Sequence, residues 1–235
     1  MKRLLRRGVL GRSLSLAMIV FAVTATSTGV HAATTEPLVS EVLVNELLRQ
    51  APGLNAEPLR LALRAADKAG REGLVPRREL LTVIDYSLPS TKPRLFVFNV
   101  AQRKLLFREL VAHGKNSGEN MTMRFSNQPN SLATSLGLFV TGGTYHGGNG
   151  YSMRLRGLDR GFNDHAFSRY IVMHGASYVS EATARALGRI GRSWGCPAVP
   201  AGVAKKIIDT VKDGSPIFAY YPDANWLQRS RFING

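Results

Sequence analysis

Apolar positions between residues 36 and 73 recur at helical spacing. Leu38, Val42, Leu43, Leu47 and Leu48 form one stripe, and Pro52-Gly53 breaks it. A second run from Glu57 to about Lys68 carries Leu59, Leu61, Leu63 and Ala66, with Gly70 and Gly73 as stops. These patterns predict a small helical segment, residues 33–79, packed on a larger domain. From Leu81 onward the pattern shortens. LTVIDY, RLFVFNV, KLLFRELVA, LGLFVTG, SMRLRG, RYIVMH and PIFAYY are rich in β-branched and aromatic residues, and turn residues such as Pro89-Ser90, Gly142-Gly143 and Gly147-Gly148-Asn149-Gly150 separate them. The second and third runs are close enough to form a hairpin across Ala101-Gln102-Arg103. Helical spacing returns at Glu181–Leu187 and Ala201–Val211, where Asp213-Gly214 is the stop. Seven short strands and two helices predict a mainly β domain with a few helices. Residues 113–135 are polar and without period, and a connection of that length reads as the wall of a cleft.

The N-terminus changes the setting. Lys2, Arg3, Arg6, Arg7 and Arg12 precede an apolar run from Leu14 to Val23, and Val30-His31-Ala32 supplies small residues for cleavage. This predicts a signal peptide over residues 1–32, with an uncleaved anchor as the alternative and the Sec or twin-arginine route open. The expected location is the periplasm or cell envelope, with no stable membrane insertion after cleavage. Removing the leader lowers the net charge from +15 to about +10. A surplus of that size in an exported protein suits an acidic envelope polymer and argues against nucleic acid.

Export makes the single cysteine conspicuous, because an oxidising compartment favours paired thiols. Cys196 lies in GRSWGCPAV. Gly195 lets the chain turn sharply beside the sulfur, and the amides of Trp194, Gly195 and Cys196 could converge on one oxyanion. Pro197 has no N–H to give. Arg192 and Arg189 add positive potential that favours a thiolate. The alternative is a buried cysteine used as a small hydrophobe. Four histidines follow the expected cleavage site: His113, His146, His165 and His174. His174 follows the apolar strand Tyr170–Met173, which would hold its ring at a strand end. His113 and His146 fall in polar, glycine-rich segments, where a ring is more often solvated or substrate-facing. No HExxH-like spacing occurs, which argues against a metallopeptidase. In SMRLRG the alternation puts Arg154 and Arg156 on one strand face, where they could pair carboxylates or stand in solvent. Tyr145 and His146 read as a cleft rim.

Tyr170-Ile171-Val172-Met173-His174-Gly175, followed after a spacer by Ser193-Trp194-Gly195-Cys196, resembles the YkuD-type L,D-transpeptidase catalytic domain. IDYSLPS, VAHGKNSG, RFSN, GRSWGCPAV and the Gly142–Arg156 segment are similar to its divergent murein branch, sometimes called YkuD_2. The resemblance covers roughly residues 80–222, leaving 223–235 as a C-terminal tail. It implies a mixed β-sandwich/barrel catalytic domain, with Cys196 as nucleophile, His174 as its base and the Gly175 carbonyl orienting the imidazole. It also implies an oxyanion hole of the Trp194, Gly195 and Cys196 amides, with Ser193 bracing the loop. Tyr145, His146, Arg192, Arg154 and Arg156 are the candidate substrate-binding residues. The chain departs from the common pattern at Trp194, where most of the family has histidine, and at Ala198, where it has Arg or Asn.

The implied reaction is acyl transfer from a peptidoglycan stem peptide through a thioester on Cys196, needing no cofactor and no metal. The acceptor is a second stem, giving a cross-link, or an amine of an envelope protein, giving an anchor. Two alternatives stand beside it: an L,D-carboxypeptidase or endopeptidase using the same Cys–His site, and a non-catalytic wall-binding module.

Overall fold

A computed structural model describes residues 40–234, so the expected leader over residues 1–32 lies outside the described residues. The expected N-terminal helices are α1 (Glu41–Gln50) and α2 (Ala56–Arg71). Ser40 caps α1 by accepting from the Leu43 amide at 3.2 Å. The buried faces of the two helices, Leu43, Val44 and Leu47 with Leu59, Ala62 and Leu63, share one cluster with Leu81, Val83, Phe96, Phe98 and Phe218. The helices therefore cover one face of the sheet and complete its core rather than building one of their own.

The strands are β1 (Leu80–Asp85), β2 (Leu95–Asn99), β3 (Lys104–Glu109), β4 (Gly137–Gly147), β5 (Gly150–Gly157), β6 (Val172–Ala176), β7 (Ala198–Pro200) and β8 (Pro216–Tyr220). They form one eight-stranded sheet in the order β3-β2-β1-β8-β4-β5-β6-β7. The β1–β8 and β6–β7 pairs are parallel and the other pairs antiparallel. All residues of β1 and β8 are buried, as suits central strands covered on both faces. The sheet curls strongly. Ile84 and Val97 from one end share a cluster with Leu155, Met173 and Val199 from the other. The Ala112 amide, just past β3, donates to the Ala198 carbonyl of β7 at 2.8 Å, so the two edges meet and the sheet is nearly closed into a barrel.

Between β6 and β7 lies α3 (Glu181–Leu187), capped by Ser180 and ended by Gly188. Helix α4 (Ala201–Val211) turns Ala204, Ile207, Ile208 and Val211 inward, an i, i+3, i+4, i+7 stripe. The C-terminal tail folds as α5 (Ala224–Arg229) and α6 (Arg231–Asn234), which bury Trp226 and Phe232 against the α1–α2 side of the sheet. Among the described residues no helix is long and apolar enough to cross a membrane.

All seven expected strands form, and β7 is an eighth, its three residues too few to show a period. The strand expected over residues 169–174 is displaced. Tyr170 adopts φ 56 and the Ile171 amide returns to the Ala166 carbonyl, so pairing starts only at Val172. His174 therefore sits in mid-strand, not at a strand end. Tyr145 and His146 are paired residues of β4, opposite Ser152 and Tyr151, and the hairpin turns at Gly147–Gly150.

Candidate active site

Residues 193–196 are held from both sides. The Ser193 amide donates to the His113 carbonyl at 2.9 Å, and the Lys115 amide donates to the Ser193 carbonyl at 2.8 Å. Ser193 Oγ donates to the Cys196 carbonyl at 2.6 Å and accepts from the Gly195 amide at 3.1 Å, closing a tight loop below the sulfur. Gly195 has φ +119, and a Cβ there would lie 2.7 Å from the Ala133 carbonyl, so this turn requires glycine. Ser193 Oγ thus engages the Gly195 N–H, one of the three amides named above as candidates for an oxyanion hole. Among the described residues, the Trp194 and Cys196 amides are the two in this loop without a protein acceptor.

Parallel pairing of His174 with Ala198 brings β6 alongside the strand that follows Cys196. His174 Nδ1 lies 2.9 Å from the Gly175 carbonyl. A carbonyl only accepts, so Nδ1 carries the proton and Nε2 keeps its lone pair. Gly175 stands under α4, where a Cβ would meet Ala204 Cβ at 2.9 Å. Small size at 175 thus lets the helix press on β6 directly behind the histidine.

His174, Ser193, Trp194 and Cys196 line one cavity of about 610 Å³, together with Pro129, Asn130 and Leu132 of the 113–135 segment. Residues 129–132 of that segment thus form part of the cavity wall, while His113, Ser117 and Thr122 are buried behind it. Cys196 is 8% exposed; its Sγ lies 3.5 Å from the Val172 amide, which donates to it, and 3.8 Å from the Tyr170 carbonyl, to which the thiol donates. Burial pushes the Cys196 pKa up, opposed by the Val172 N–H and by Arg169. Burial also holds His174 below the ordinary histidine value, partly offset by the Gly175 carbonyl. Both groups rest neutral at pH 7, as thiol and imidazole. Trp194 and Tyr170, 73% and 77% exposed, stand at the mouth of the cavity.

The cation that opposes the rise in the Cys196 pKa is one that no sequence motif marks. Arg169 lines the cavity, and its guanidinium donates to the Ser126 and Ala133 carbonyls and to the Ser131 and Ser135 hydroxyls. It lies in a turn-rich stretch with no period or motif to mark it. Arg192 and Arg189, expected to favour the thiolate, instead pair with Glu119 at 2.6 and 2.9 Å. Arg192 still lines the cavity, but it staples the 115–119 turn through the Lys115 and Gly118 carbonyls.

The remaining candidates divide by strand face. Tyr145, Ser152 and His174 are register partners on adjacent strands and form one row, and Tyr145 lines the cavity. His146 points to the other face, its ring 5.2 Å from that of Tyr151, whose hydroxyl donates to Asp209 of α4. Arg154 and Arg156 do not line the Cys196 cavity; they line a second one of about 540 Å³. His113, expected in a solvated loop, is wholly buried: the fully buried Arg94 guanidinium donates to its Nδ1 at 2.7 Å, and Nε2 lies 3.2 Å from the Gly118 carbonyl.

The chain is similar to several solved structures. They include an L,D-transpeptidase from Mycobacterium smegmatis (16% identity, 61% of this chain and 59% of that one, TM-score 0.37). Others are the helical cell shape determining protein Pgp2 from Campylobacter jejuni (14% identity, 61% and 48%, TM-score 0.39) and L,D-transpeptidase 1 from Mycobacterium tuberculosis (15% identity, 61% and 62%, TM-score 0.33). The chain spans about three fifths of the length of the first and less than half of the second. No curated protein matches the sequence. A family model, YkuD_2, the L,D-transpeptidase catalytic domain, matches residues 50–220, a stretch that begins at the end of α1 and takes in the whole sheet, His174 and Cys196. On that match the chain belongs to the YkuD_2 family of L,D-transpeptidase catalytic domains.

Proposed function

We propose that this chain is an exported cysteine L,D-transpeptidase of peptidoglycan that takes a stem-peptide acyl group on Cys196 and passes it to an amine. The observation that carries this reading is the placement of Cys196 and His174 on one cavity, with Nδ1 of His174 committed to the Gly175 carbonyl and Nε2 left as a base. Catalysis starts from a neutral pair. Sγ rotates away from the Val172 amide and the Tyr170 carbonyl, gives its proton to Nε2, and attacks the carbonyl on the L-centre side of the L,D bond. The negative oxygen that forms is met by the Trp194 and Cys196 amides. The imidazolium protonates the departing D-amino acid amine, the C–N bond breaks and a thioester remains. An acceptor amine then attacks the thioester, His174 takes the proton that the amine sheds, and the sulfur leaves. The basic surface suits a carboxylate-bearing polymer. The acceptor is a second stem or an envelope protein amine.

Incubation with purified disaccharide tetrapeptide, followed by mass spectrometry of protein and products, tests the reading. It predicts an acyl adduct on Cys196 and cross-linked dimers. Shortened monomers alone would make the enzyme a carboxypeptidase, and a Cys196→Ala protein with full activity would make the thiol inert.

A further inference from the structure

The second cavity is lined by Arg154, Arg156 and Phe167, by Gly142 and Gly143 of β4, and by Asp213 and Gly214 beyond α4. Both arginines are exposed, and among the described residues neither forms a salt bridge with a carboxylate. Arg154 is nevertheless held in place, since its guanidinium carbon sits 4.6 Å from the Tyr145 ring centre and 5.7 Å from that of Phe167. A guanidinium clamped between two rings and facing a cavity loses little further freedom when it binds a carboxylate.

Register ties this cavity to the first. Ser152 pairs with His174 and Arg154 with Val172, so Ser152, Arg154 and Arg156 share the sheet face of the histidine. Two residues of a strand advance about 7 Å, which places Arg154 roughly 7 Å and Arg156 roughly 13 Å from the His174 row. An extended peptide advances about 3.5 Å per residue, so a carboxylate two to four residues from the bond attacked falls beside them. Tyr145 marks the boundary, lining the first cavity and stacking on the arginine of the second. Asp213, on the second cavity's wall, opposes a dense polyanion and favours a single carboxylate with an amine or amide close by.

We infer that the second cavity receives an internal carboxylate of the same peptide whose acyl group is transferred, so that one donor runs across both cavities. This rests on the reading of Cys196 as nucleophile and adds what selects the donor. The experiment measures Cys196 acylation without an acceptor amine, which isolates the donor, using disaccharide tetrapeptide and a counterpart with its internal carboxylates amidated. The native protein should acylate about tenfold more efficiently with the free carboxylates. Arg154→Gln/Arg156→Gln should erase that preference by bringing the free-carboxylate peptide down to the efficiency of the amidated one, and Arg154→Lys/Arg156→Lys should restore part of it. Thermal melts of each variant confirm folding. Equal use of both peptides by the native protein, or a preference that survives the double Gln variant, overturns the inference while Cys196 acylation stands. No acylation by either peptide overturns the proposed function and this inference with it.

Discussion

The dipeptide His-Gly occurs in two buried places that the fold treats in opposite ways. At His113-Gly114 the guanidinium of Arg94 can only donate, so Nδ1 accepts and the proton sits on Nε2, directed at the Gly118 carbonyl. At His174-Gly175 the proton sits on Nδ1, directed at the Gly175 carbonyl, and Nε2 is uncommitted. Burial lowers both pKa values, His113 to about 4. His113 spends both nitrogens on the protein and supports structure; His174 spends one and keeps the other for the cavity. Burial and a neighbouring glycine do not distinguish a base from a brace. The number of nitrogens left over does.

Swapping the two roles tests that comparison most severely. His174→Gln should lower the rate of Cys196 acylation by about a thousandfold with little change in melting temperature, because a proton acceptor is lost from an otherwise intact strand. His113→Ala should do the reverse. It leaves the wholly buried Arg94 short of an acceptor and should cost about 2–4 kcal/mol of stability, read by denaturant unfolding. Acylation per folded molecule should survive, since His113 holds the 193–196 loop through its backbone carbonyl and not its ring.

Acid provides the next contrast. The folded pKa of His113 is depressed below its unfolded value of about 6.5. The unfolded chain therefore takes up a proton that the native protein refuses, and stability present above pH 6.5 is lost as pH falls through that value towards about 4. Unfolding free energy should drop by about 3 kcal/mol across this window, and the drop should flatten in His113→Gln. His174 is also depressed, so its neutral form persists below pH 6.5 and the acid limb of acylation should lie under the ordinary histidine value. Alkylation of Cys196 by iodoacetamide should keep rising above pH 9.0, as burial has raised the thiol pKa. A rate flat from pH 6 to 9 would reveal a preformed thiolate–imidazolium pair and remove the neutral resting state.

The strands were legible because their runs of β-branched and aromatic residues and the turn residues between them are local, and so was α4, whose apolar stripe is continuous. The same holds for Gly195, where a turn beside the sulfur needs a positive φ. What stayed hidden depends on through-space partners. Nothing local to HGKN says that His113 will meet Arg94, and nothing in Ser168-Arg169 says that four acceptors from residues 126–135 will wrap that guanidinium. Arg192 and Arg189 looked like the activating charges because they are near Cys196 in sequence, but Glu119 claims both.

That exchange of cations supplies the smallest and finest effect. Arg192 is tied to an exposed glutamate, and such pairs contribute about 0–1 kcal/mol. Arg192→Ala, which also loses the bonds to the Lys115 and Gly118 carbonyls, should cost about 1–2 kcal/mol of stability and leave the pH midpoint of Cys196 alkylation in place. Arg169 is half-buried, holds the cavity wall and opposes the rise in the Cys196 pKa. Arg169→Met should move the alkylation midpoint upward, because a charge is lost while desolvation of the sulfur remains. Arg169→Lys separates the two contributions of that side chain. It keeps the charge and should hold most of the midpoint, yet its single ammonium cannot replace a fork that reaches two carbonyls and two hydroxyls. The wall formed by residues 126–135 should then exchange its amide hydrogens faster in Arg169→Lys while the thiol titrates almost as before. If Arg192→Ala moves the midpoint more than Arg169→Met does, nearness in sequence was the better guide to the thiol's electrostatics.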